Sequence, residues 1–129
     1  MNMKQSVKSV LSQYATFEGR ASRSEYWWFQ LAFFLSYLLI LISQIGTILI
    51  SVLLGIDLDI IGLFLRLLAV FILLGGVIPI LAVGTRRLHD SHKSGWYQLI
   101  GLVPFFGGIA LIVWFALPSD KGENQYGSL

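Results

Sequence analysis

The sequence predicts an all-α integral membrane protein with three transmembrane helices and a short N-terminal amphipathic interfacial helix. Composition is the first of three observations behind this. Of 129 residues, 56% are hydrophobic and 12% charged, with a mean hydropathy of +0.75, a balance that needs lipid around it. Second, the apolar residues gather in three stretches: Trp27 to Ile56 has no charged residue, Ile60 to Thr85 has only Arg66, and Gly95 to Ser119 has none. Each exceeds the roughly 20 residues with which a helix crosses the hydrocarbon. Third, Lys and Arg concentrate in the segments before the first stretch and between the second and third.

The elements follow in chain order. Met3, Val7, Val10, Leu11 and Tyr14 recur at helical spacing, with Lys4, Lys8, Ser9 and Gln13 on the other side, which predicts an amphipathic helix over 3–15 in the headgroup layer. Gly19 marks a turn. Ser22-Arg23-Ser24-Glu25 fits a capping box, so the first long helix starts at Arg23 and covers 23–54. It is too short for two crossings, which need about 34 residues at minimum, and reads as one long or tilted helix that could end near Gly46 or Gly55. The second span covers 60–85, a basic cytoplasmic loop 86–94, the third span 95–117 and an external tail 118–129. An apolar core this long reads as a retained anchor rather than a cleaved signal peptide.

Within the spans, Ser36, Ser43, Thr47 and Ser51 form a stripe on one face with Gln44 beside it, suited to close helix packing or to lining a polar path. Gly75, Gly76 and Pro79 in the second span, and Gly101, Pro104, Gly107 and Gly108 in the third, predict kinks and tight packing. Arg66 lies shallow enough to snorkel outward, with Asp57 or Asp59 as its partner. Tyr26, Trp27, Trp28, Trp96 and Tyr97 belong to the inner interface and Trp114 to the outer one.

Charge sets the predicted orientation. Seven cations (Lys4, Lys8, Arg20, Arg23, Arg86, Arg87, Lys93) and three anions (Glu18, Glu25, Asp90) share one side; Arg66 and Lys121 face four anions on the other, which accounts for the net +2. The positive side stays cytoplasmic, so three crossings put the N-terminus inside and the C-terminus outside. Cysteine is absent, which excludes disulfides and thiolate metal sites. No phosphate-binding glycine loop, zinc-protease or hydrolase motif and no nucleic-acid motif occurs.

The segment from Arg86 to Trp96 holds most of the reactive side chains and admits three readings. As a connector, Arg86 and Arg87 complement the helix dipole and Ser94 caps the third span. As an anion site, Arg20, Arg23, Arg86, Arg87 and Lys93 gather around two helix N-termini and recognise a lipid phosphate or acidic partner. As a metal or acid-base site, His89, Asp90 and His92 offer at most three ligands beside five cations, a poor setting for a metal.

Four ordered blocks carry a family resemblance. Phe17-Glu18-Gly19-Arg20-Ala21-Ser22-Arg23-Ser24-Glu25-Tyr26-Trp27, then Arg86-Arg87-Leu88-His89-Asp90 with Ser94-Gly95-Trp96, then Pro104 with Gly107, then Gly122-Glu123-Asn124-Gln125-Tyr126-Gly127 resemble domain of unknown function 805, a family of small bacterial inner-membrane proteins. The resemblance runs from Phe17 to Gly127. Its hallmark positions fall here on Phe17, Gly19, Arg20, Arg23, Glu25, Tyr26, Trp27, Arg87, His89, Asp90, Ser94, Gly95, Trp96, Asn124 and Gly127; His92 falls where the pattern is loose. It implies an integral membrane protein and brings no activity, cofactor or catalytic residue with it.

Together these readings predict a non-enzymatic, cofactor-free binding or scaffold module. Its basic cytoplasmic face would engage anionic lipid headgroups or a membrane-protein partner through Arg20, Arg23, Glu25, Trp27, Arg86, Arg87, His89, Asp90, Lys93 and Trp96. Glu25 and Asp90 would orient the arginines, and the two tryptophans would set their depth. The alternative is a homo-oligomeric transporter or channel subunit lined by the Ser36/Ser43/Gln44/Thr47 stripe and Arg66. Nucleic acid is not an expected partner.

Overall fold

The computed structural model describes residues 1–120 and 122–129. Lys121, counted above on the outer side, lies outside the described residues. The fold is all-α: α1 (Met3–Ser12), α2 (Arg23–Leu54), α3 (Asp59–His89), a 3-10 helix (Gly95–Leu102) and α4 (Phe106–Ala116). Two of these, α2 and α3, are long and apolar enough to cross a membrane. The described residues divide into two compact units, one made of 1–30 with 78–129 and the other of 31–77.

Side-chain caps start α1 and α2. Asn2 caps α1 through a reciprocal box: its side chain accepts from the Gln5 N–H at 2.9 Å while Gln5 Oε1 accepts from the Asn2 N–H at 3.0 Å. The box expected at α2 is half made. Ser22 Oγ accepts from the Glu25 N–H at 3.2 Å, but the Glu25 carboxylate turns to Ser9 and Arg86 instead of reaching back. Helix α2 is continuous through Gly46 to Leu54, about 48 Å at 1.5 Å per residue. In the 31–77 unit α2 and α3 are joined by a turn in which Gly55 has a positive φ, and Asp57 Oδ1 accepts from the Asp59 N–H. The Phe33 ring occupies the space where a side chain on Gly76 would stand. Outward-facing Leu53, Ile60 and Phe71 are more than two-thirds exposed, as lipid-facing side chains are when lipid is stripped away.

Arg66 makes no ion pair with Asp57 or Asp59 among the described residues. Its guanidinium lies over Gly62 and lines a recess of about 120 Å³ with Thr47, Ser51 and Asp59. The stripe hydroxyls turn inward on their own chain: Ser36 donates to the Phe33 carbonyl, Ser43 to Leu39, Thr47 to Gln44 and Ser51 to Ile56.

The third apolar stretch does not form one continuous helix but two short ones joined as a hairpin. Residues 95–102 wind as a 3-10 helix, the chain breaks at Val103–Phe105, and α4 returns beside it. Pro104 supplies the break, because its ring forces Val103 into an extended conformation (φ −77°, ψ 116°) and it has no N–H to continue a helix. Phe105 then adopts φ 65°, a turn geometry costly for a bulky residue. Gly107 lets the arms close, since a side chain there would overlap the Ile100 carbonyl. Tyr97 and Trp114, assigned above to opposite interfaces, meet edge to face with centroids 5.2 Å apart. Each arm rises about 16 Å, half the hydrocarbon thickness.

The hairpin bears on where the tail lies. Charge counting assumed that the third apolar stretch crosses completely, and so put 118–129 on the side opposite Arg20. The hairpin instead brings the tail back to Arg20, whose guanidinium donates to the carbonyls of Asp120, Gly122 and Gly127. The expected 86–94 loop is also shorter, since α3 continues through Arg86 and Arg87 to His89. The hairpin can be checked with single cysteines in this cysteine-free chain. Ser12→Cys and Ser128→Cys should react with a membrane-impermeant maleimide from the same side of oriented vesicles; labelling from opposite sides would mean a complete third crossing.

Candidate functional site

The unit formed by 1–30 and 78–129 is organised around charge. Its small apolar core joins Val10 of α1, Tyr26 and Phe29 of α2, Val83 and Leu88 of α3 and Phe115 of α4. Beside that core, Arg87 and Asp90 are completely buried and Arg86 is 1% exposed. Burial of an ion is favourable only when partners replace its water.

Asp90 supplies most of that replacement. Its Oδ1 accepts from Arg20 Nε at 2.9 Å and lies 2.7 Å from Arg20 Nη2, while Oδ2 accepts from Arg87 Nη1. The remaining arginine donors find main-chain carbonyls. Arg20 takes the three tail carbonyls already named; Arg87 takes Phe115 through Nε at 3.0 Å and Leu117 through Nη2. Two guanidinium groups thus share one carboxylate, and the carbonyl dipoles carry the rest. Arg86 has a separate partner set: Nη1 donates to Gln13 Oε1 at 2.7 Å and to Glu25 Oε1 at 3.4 Å, and Ser9 Oγ also donates to Glu25 at 2.9 Å. Its Nε and Nη2 are buried without a protein acceptor among the described residues.

The end of α3 is tied at several points. The Ala21 N–H donates to the Arg86 carbonyl at 3.0 Å, and His89 Nδ1 lies 3.1 Å from the Gly19 carbonyl, which can only accept. The His89 ring stacks on Tyr126 at 3.8 Å, and Asn124 Nδ2 donates to the His89 carbonyl. His92 adopts φ 57° where the chain leaves the helix, with the Lys93 N–H returning to the Leu88 carbonyl. Its Nε2 meets Asp120 Oδ2 at 2.6 Å. The three residues weighed as metal or acid-base partners are therefore separated: Asp90 serves two arginines, His89 serves Gly19 and Tyr126, and His92 serves Asp120. No cluster able to hold a metal occurs among the described residues.

The predicted set divides in two. Arg20, Glu25, Arg86, Arg87 and Asp90 come together inside the protein, where headgroups do not reach them. Arg23, Trp27 and Trp96 are exposed, and His89 and Lys93 are half-buried, Lys93 with Nζ 5.8 Å from the Trp114 ring centroid. Sequence reasoning missed the acceptors: carbonyls have no side-chain signature, and those of Phe115, Leu117, Asp120, Gly122 and Gly127 reach the arginines only because the hairpin returns. Beside the cluster a cleft of about 410 Å³ opens between Phe17-Glu18, the last turns of α3 and the 3-10 helix.

Comparison with known proteins agrees with the four motif blocks. A family model described as protein of unknown function (DUF805) matches residues 14–128. The chain is similar to the inner membrane protein YhaI of Escherichia coli strain K12, with 39% identity over 120 residues covering 93% of this chain and 90% of that protein. It is also similar to the inner membrane protein YhaH of the same strain, with 34% identity over 126 residues covering 92% and 89%. No solved structure matches.

Removing the shared carboxylate should expose the cluster's dependence on it. Asp90→Ala leaves two buried guanidinium groups without a counter-ion and is expected to lose about 3–5 kcal/mol of stability, read as a large fall in the unfolding temperature in detergent. Arg23→Ala, at an exposed cation, should shift it by less than about 0.5 kcal/mol.

Proposed function

Because the chain belongs to the DUF805 family and is a multi-pass protein of the bacterial inner membrane, we propose that it acts there as a non-enzymatic binding or scaffold module. Its basic face is cytoplasmic and meets anionic headgroups or a partner. The observation that carries this reading is the division of the cations. Arg20, Arg86 and Arg87 are committed to internal partners and hold the shape, whereas Lys4, Lys8 and Arg23 are exposed and Lys93 is half-exposed. Anionic lipid attracts each such cation by about 1 kcal/mol within a Debye length.

In this reading α1 is part of the face rather than a loose anchor. The Met1 amino group donates to Ser24 Oγ and Ser6 Oγ to the Ser24 carbonyl, both at 3.3 Å, which fixes Lys4 and Lys8 beside the start of α2. The positive-inside rule puts this face and both chain termini in the cytoplasm. The transporter or channel reading gains little, because the stripe hydroxyls are spent on main-chain carbonyls of their own segment.

The lipid version is tested by replacing Lys4, Lys8, Arg23 and Lys93 with Gln. Native mass spectrometry of the protein from mixed phosphatidylglycerol and phosphatidylcholine should show the preference for phosphatidylglycerol falling by about tenfold or more. An unchanged preference would remove the exposed cations as the binding determinant.

A further inference from the structure

The three buried arginines do not use their guanidinium groups alike. The edge on which Nε–H and Nη2–H lie parallel spans two oxygens of a carboxylate or phosphate. On Arg20 that edge faces Asp90, with Nε at 2.9 Å and Nη2 at 2.7 Å from Oδ1. On Arg87 it takes the Phe115 and Leu117 carbonyls. On Arg86 the same edge is unmet: Nε and Nη2 are buried without an acceptor among the described residues, and only Nη1 is bonded, to Gln13 at 2.7 Å and Glu25 at 3.4 Å. With Arg86 1% exposed, that edge bears the desolvation penalty of unmet charged donors.

The helix that meets Arg86 from outside is α1. Ser6 and Val10 on its inner side are completely buried, Gln13 at its end supplies the shorter Arg86 bond, and Ser9 bonds Glu25 at 2.9 Å. Ten residues are too few for a helix to be stable alone, so α1 depends on this docking. Its connection to α2 leaves room for movement. Residues 14–18 are exposed, and the fixed points come after them, where the Gly19 carbonyl meets His89 and the Ala21 N–H bonds the Arg86 carbonyl. The helix can therefore lift while the end of α3 stays tied. Charge favours an anion there, because α1 and the first turn of α2 carry Lys4, Lys8 and Arg23, all exposed, against Glu25.

We propose that α1 is a hinged cover over an oxyanion site, and that a phosphate group docks on the Nε–Nη2 edge of Arg86 when α1 lifts. This rests on the reading that the face meets anionic headgroups, and it names the residue that would grip one. A phosphate offers two oxygens at the spacing of the edge, and a charge for a guanidinium that Glu25 holds only at 3.4 Å. Arg20 and Arg87 do not compete for it, since Asp90 and main-chain carbonyls already fill the same edge of each. The phosphate can come from a lipid headgroup or from solution; the chemistry at Arg86 is the same.

Ser6, buried under α1, reports the opening. In the full cysteine-free chain in detergent, Ser6→Cys should react slowly with a small maleimide, and about fivefold faster or more on saturation with phosphatidylglycerol, but not with diacylglycerol of the same chains. Inorganic phosphate against chloride at matched ionic strength separates the sources: acceleration by both means that free phosphate enters, and acceleration by phosphatidylglycerol alone that the headgroup does. Gln13→Ala unties α1 without touching the edge, so it should tighten the apparent affinity for whichever phosphate acts by about fivefold, a gain that a damaged fold does not produce. Arg86→Lys keeps the charge, loses the fork and should abolish the acceleration. No acceleration in the Ser6→Cys protein, an affinity that Gln13→Ala leaves unchanged or weakens, or an acceleration that survives Arg86→Lys would each overturn the proposal. The two readings fail separately, because the four-cation variant retains Arg86: saturating lipid should still speed Ser6→Cys labelling in it, whether or not its preference for phosphatidylglycerol falls.

Discussion

Asp90 is the residue on which the rest of this structure depends. A completely buried carboxylate holds Arg20 from the segment before α2 and Arg87 from the last turn of α3, positions far apart in the chain. Neither guanidinium could be buried alone, because desolvating an unpaired charge costs several kcal/mol. One carboxylate cannot neutralise two arginines, however, so the cluster needs further acceptors. The returning chain brings them, from Phe115 and Leu117 at the end of α4 and from Asp120, Gly122 and Gly127 in the tail.

The hairpin and the cluster are thus two parts of one solution. Pro104 stops the 3-10 helix, Gly107 lets the arms touch, and the chain arrives where arginine donors lack partners. Hydrogen bonds to charged donors contribute about 1.5–3 kcal/mol each. Several of them offset the strained backbone of Phe105. The outgoing 3-10 arm forms a wall of the cleft, with Gly95 seated on Thr85.

The arrangement also separates two uses of positive charge that composition merges. Buried arginine, with a planar fork of five donors, joins segments. Exposed lysine and arginine give a field to the face. A net charge of +2 conceals both, and counting cations by loop treats them alike.

The sequence by itself determined the membrane and the two long helices. A run of apolar residues without charge can be satisfied only in lipid, and α2 and α3 need nothing but their own hydrogen bonds to cross it. It also pointed to the residues of the cluster, since Arg20, Glu25, Arg86, Arg87 and Asp90 stand out among few charges. Tertiary structure decided what those residues do. Gly95 to Ser119 is apolar enough to span, and hydropathy does not register the turn that Pro104, Phe105 and Gly107 make together. Once the chain turns back, main-chain carbonyls become the arginines' partners, and charges that read as a surface become an interior. Burial and pairing depend on what arrives from elsewhere in the chain, and only folding brings it there.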